Sequence, residues 1–146
     1  MFAVKKIKIP IYQGFLVCII CDDDDQLKNY YAKNKKLEEH IKFENNLAEV
    51  RYSSVLHEKN NHWAVEALFL YKGLALVDAG TLSHESVHCA DQVYRHIGAY
   101  HDKDNPEPYS YLVEWFANTI KKFLGNYKNS EKDSKTFFSL NKKNKK

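Results

Sequence analysis

The run His84-Glu85-Ser86-Val87-His88 constrains this chain more than any other, because the spacing HExxH has a chemical use on a helix. Residues four apart on an α-helix share a face about 6 Å from each other, so two imidazoles can approach one Zn²⁺. The intervening glutamate then stands beside a metal-bound water, which is the core of a zinc hydrolase. The competing reading is a surface helix carrying two solvated histidines.

The flanking residues predict the helix. Thr81 is a good N-cap, and Gly98 is a good residue to close a helix over 82–97. Val87, Ala90, Tyr94 and Ile97 recur at helical spacing and are expected to form the buried stripe, with His84, His88 and Asp91 on an adjacent face. The histidines would then line the edge of a core.

Zinc needs a third protein ligand, leaving a fourth place for water. Asp91 lies seven residues after His84, roughly 10 Å along the axis, too far to share the ion with that histidine. It is either an acceptor that orients a ligand imidazole or a solvated helix residue. The longer pattern HExxHxxGxxH is absent, since Asp91 stands in the glycine place and Tyr94 in that of the third histidine. A carboxylate from elsewhere is required. Asn105, Pro106 and Pro108 mark a loop giving way to a second helix, whose apolar stripe is Leu112, Trp115, Phe116, Ile120 and Phe123. Glu107 opens that helix and is favoured by its place beside the loop. Glu114, two turns on and on nearly the same face, is its competitor.

The segment Leu82-Ser83-His84-Glu85-Ser86-Val87-His88-Cys89-Ala90-Asp91, then Gly98, then Glu107-Pro108-Tyr109-Ser110-Tyr111-Leu112, resembles small phage and prophage zinc metallopeptidase-like proteins. These are minimal members of the zincin superfamily, of the gluzincin type. The resemblance covers about residues 50–120 well, the first 50 loosely and the tail not at all. It implies an α+β, minimal zincin-like fold and a zinc-dependent peptidase. His84, His88 and Glu107 would be the ligands and Glu85 the general base. Tyr111 matches a family aromatic placed to hydrogen-bond within the site. The chain departs from larger gluzincins in having no aspartate after Glu107 at the spacing of their supporting carboxylate, so the ligand histidines depend on Asp91 or the backbone for orientation.

The 146 residues, 44% of them hydrophobic, suffice for one core. The expected organisation is a single domain over 1–125 and a basic, disordered tail over 126–146. That tail ends in Lys142, Lys143, Lys145 and Lys146 and is interrupted by Phe137 and Phe138. No apolar run of 18 residues and no signal-peptide pattern occurs, so a cytoplasmic protein without a membrane partner is expected, in the host cell if phage-encoded. A net charge of +3 is too small to argue nucleic-acid binding for the body, and only the lysine-rich tail invites it.

Three cysteines suit a reducing compartment. Cys18 and Cys21 form a CxxC within an apolar strand-like run, where residues three apart face opposite sides of a sheet, so neither a redox pair nor a zinc knuckle is expected. Cys89 reads as a small core residue.

Residues 7–21 read as one or two strands with a bend at Gly14, and the four aspartates of 22–25 as solvated charges at the start of a helix reaching about residue 41. Strands are expected at 48–57 and 62–71 around a polar tip at 58–61, and a third short strand at 74–77. The strand at 62–71 is the candidate edge for pairing with an extended substrate, set against a role as ordinary sheet. Tyr109, Tyr111, His96 and His101 are available to stabilise an oxyanion, and His40, His57 and His62 read as surface residues. Three functions follow as expectations: a zinc peptidase or amide hydrolase, a catalytically inactive zincin-fold binding module, and a nucleic-acid accessory protein acting through its tail.

Overall fold

The computed structural model describes residues 1–34, 48–57 and 62–143, with side chains described for 1–33, 48–49 and 63–128. Strands β1 (Ala3–Lys8), β2 (Gly14–Cys21), β3 (Ala48–His57) and β4 (His62–Leu70) form one mixed sheet in the order β1-β2-β4-β3. The pairs β1–β2 and β3–β4 are antiparallel, and β2–β4 is parallel. Helix α1 (Asp24–Asn34) follows β2, while α2 (Ala79–Ile97) and α3 (Glu107–Lys143) follow β4. The protein is therefore α+β.

The central strands are apolar on both faces because both faces are covered. Leu16, Cys18 and Ile20 of β2 join Val65, Ala67 and Phe69 of β4 in a core closed by α2 and α3. Val17, Ile19 and Cys21 join Ala64 and Leu68 in a second core closed by Leu27 and Tyr31 of α1. Cys18 and Cys21 thus lie on opposite sides of the sheet, as residues three apart on a strand must, and both are buried free thiols. Gly14 is required where it stands, since a Cβ there would come within 2.6 Å of the Trp63 ring.

Two expectations are corrected. The strand at 62–71 is not an edge: β4 lies between β2 and β3, and the edge beside α2 is β3. The stretch 74–77 is not a strand, since Tyr71–Leu76 closes into a 3-10 turn with Leu74 buried beneath it. Lys72 and Gly73 fold into that turn instead of preceding a strand. Helix α3 runs without a break to Lys143, so the composition change at 125–126 falls inside it. Tyr127 packs on the core, and Lys128 Nζ donates to the carbonyl of Val77 at 2.6 Å. Residues 35–41 of the expected first helix with His40, the tip at 58–61, the side chains of His57, His62, Phe137 and Phe138, and the final lysines lie outside the described residues. No helix among the described residues is long and apolar enough to cross a membrane.

Candidate metal centre

Helix α2 begins earlier than Thr81. Asp78 is the N-cap, in an extended conformation at φ −94°, and its carboxylate accepts from the Thr81 N–H at 2.8 Å. This bond from the Thr81 backbone holds the Asp78 carboxyl below the usual carboxylate range. The C-terminus closes at Gly98, whose φ of 69° lies in the left-handed region that glycine adopts freely. There Ala99 N–H reaches the Tyr94 carbonyl at 2.9 Å, completing a glycine-terminated cap.

The buried stripe of α2 is turned relative to the expected one. Glu85, Ser86, Cys89, Ala90 and Val93 face the sheet, whereas Val87 and Ile97 are 40% and 42% exposed. Of the expected stripe Ala90 is buried and Tyr94 half-buried. Two polar residues therefore occupy core positions, which apolar periodicity cannot report. Ser86 satisfies its hydroxyl locally by donating to the Leu82 carbonyl at 2.7 Å.

His84 and His88 project from the exposed side of this stripe, one turn apart. Their Nε2 atoms approach to 2.9 Å, with ring centroids 4.5 Å apart and planes at 85°. The two nitrogens thus converge on one point, either sharing a proton or facing a common cation. Glu85 belongs to the buried stripe and is 7% exposed. Burial pushes its carboxyl pKa up, the adjacent His84 and His88 oppose that rise, and Glu49 of β3 adds to it. No described residue hydrogen-bonds the Glu85 carboxylate.

The third donor is not in place. Among the described residues no group of three or more His, Cys, Asp or Glu side chains is arranged to hold a metal ion. Imidazoles are zinc donors by type, but Glu107 and Glu114 are both exposed and complete no such group with His84 and His88. Two contacts align α3 antiparallel to α2: Tyr109 with Asp91, and Lys128 with Val77. The Tyr109 hydroxyl also lies 3.5 Å from the Val87 carbonyl, so the start of α3 sits beside the stretch of α2 from Val87 to Asp91. Glu107 lies beyond the Tyr109 contact, at the first residue of α3.

Asp91 supports an inter-helix contact. The Tyr109 hydroxyl donates to its Oδ1 at 2.6 Å, and burial together with this bond pushes the phenol pKa well up. That tie is a side-chain pairing across 18 positions, which no local pattern signals. The other oxyanion candidates are dispersed: His101 stacks on Tyr109 at 4.7 Å, His96 on Trp63 at 4.5 Å, and Tyr111 is 64% exposed. Glu66 went unread in the sequence. It is a charged residue in the middle of β4, 1% exposed, and its Oε2 accepts from the Tyr31 hydroxyl at 2.5 Å.

Comparisons with protein-family models, curated proteins and solved structures find no match to this chain.

Proposed function

We propose that the chain is a zinc-dependent hydrolase of peptide or amide bonds, on a minimal zincin-like scaffold of the gluzincin type. The observation that carries this reading is the convergence of His84 and His88 Nε2 at 2.9 Å, with buried Glu85 between them on the same helix. The two imidazoles would hold the ion. Helix α3 would supply the third donor, from Glu107 as the resemblance implies or from its competitor Glu114. Bound zinc supplies Lewis acidity, polarising the scissile carbonyl and making the attacking water more acidic.

The chain's own residues do the rest. Glu85 accepts a proton from the attacking water and returns it to the leaving amine nitrogen, so protons balance over the turnover. Strand β3, the sheet edge beside α2, has backbone groups on its outer side with which an extended substrate can pair. A peptide or protein is therefore the proposed partner.

Peptide cleavage by zinc-loaded wild type, lost about 10²–10⁴-fold in Glu85→Gln with zinc retained, is the expected result. An unchanged rate in Glu85→Gln would refute the role of Glu85. A second reading, an inactive binding module on this scaffold, is favoured by the lack, among the described residues, of a third donor grouped with the imidazoles. A zinc-loaded wild type that leaves broad peptide libraries intact would establish it.

A further inference from the structure

Val77, Leu82 and Leu124 wall a hollow of about 380 Å³ between the start of α2 and α3, open to solvent on one side. Asp78, Ala79, Lys121, Gly125 and Lys128 complete its lining. Leu82 is two residues before His84, roughly 160° away round the helix, so the hollow opens on the far side of α2 from the histidines.

Gly125 lies within α3, where glycine is the least favourable residue after proline. Packing does not demand it: nothing stands within 4 Å of where its Cβ would be, and its φ is not in the left-handed region. What the missing side chain preserves is the open space in front of it.

The charges around that space are unequal. Lys121 makes no hydrogen bond or ion pair with a described residue, and Lys128 spends one of its three N–H groups on the Val77 carbonyl. The single opposing carboxylate, Asp78, is engaged by the Thr81 N–H. An apolar wall facing two ammonium groups matches a ligand with a hydrocarbon body and one anionic end.

We propose that this hollow is a binding site for a small amphiphilic carboxylate of the medium-chain fatty acid type. Its alkyl chain would lie on Val77, Leu82 and Leu124, and its carboxylate between Lys121 and Lys128. The test is calorimetric titration of the full chain with octanoate and, in parallel, with octan-1-ol. One octanoate should bind per chain, with octan-1-ol about tenfold weaker, the loss expected for a charge-assisted contact. Gly125→Leu should abolish octanoate binding by filling the hollow, and Lys121→Gln should weaken it about tenfold. No binding at millimolar octanoate, equal affinity for the alcohol, or undiminished binding in a folded Gly125→Leu would each overturn the assignment. Should Gly125→Leu not fold, unchanged affinity in Lys121→Gln would overturn it.

Discussion

Two glutamates are buried among the described residues, on opposite faces of the sheet, and their surroundings differ in kind. Glu66 sits in an interior strand, 1% exposed, and the hydroxyl of Tyr31 reaches it from α1 at 2.5 Å. Glu85 sits on α2, 7% exposed, with two imidazoles beside it and no hydrogen bond to its carboxylate from any described residue. A buried carboxylate costs free energy unless partners replace its lost water. Glu66 has such a partner within the fold and serves to tie a helix to the sheet. Glu85 keeps its acceptor capacity, which fold stability alone does not explain and proton transfer would use.

Exchanging each acid separates the two roles. The largest effect is expected from Glu85→Gln: a loss of hydrolysis of about 10²–10⁴-fold, with the thermal midpoint equal to or above that of wild type because a neutral amide is cheaper to bury. A thermal midpoint that collapses with activity would make Glu85 a structural residue like Glu66. Glu66→Ala should do the reverse, lowering unfolding free energy by about 2–4 kcal/mol in urea titrations while zinc binding persists. Tyr31→Phe, which strips only the hydroxyl, should cost about 1–3 kcal/mol by the same measurement. Smaller again, Tyr109→Phe should cost about 1 kcal/mol by loosening the tie from α3 to Asp91.

The smallest effect concerns acid. Asp78 has its carboxyl pKa depressed below 3.8, first by the Thr81 backbone N–H, so its contribution to folding is complete above that value. It is lost as pH falls through the depressed folded value. Asp78→Asn, which keeps a neutral cap, should therefore lose less of its thermal midpoint than wild type between about pH 5 and pH 2. Parallel losses in the two proteins would show that this carboxylate does not contribute to the acid response.

Much of this was legible because it is local. The HExxH spacing and Gly98 announce α2, the stripe from Leu112 to Phe123 announces α3, and short apolar runs rich in strand formers mark the central strands. Order within the sheet was not legible, since periodicity reports how a strand presents its faces and not which neighbour it takes. By its residues β4 suits an edge or an interior place equally, and its parallel pairing with β2 makes it interior. The cap at Asp78 was hidden because Thr81 is an equally good cap by type, and only the extended backbone at Asp78 decides between them. Glu66 was invisible because its partner, Tyr31, lies 35 residues away. The tie from Tyr109 to Asp91 likewise joins α2 and α3 across positions that no spacing encodes.

The account rests on His84 and His88 holding one ion together, and zinc stoichiometry measured after chelator treatment and reloading tests that most directly. One zinc per chain is expected for wild type, with none retained by His84→Ala or His88→Ala, and weakened binding in whichever of Glu107→Ala and Glu114→Ala removes the third donor. A wild type that takes up no zinc, or a histidine variant that binds it as tightly as wild type, would contradict the account.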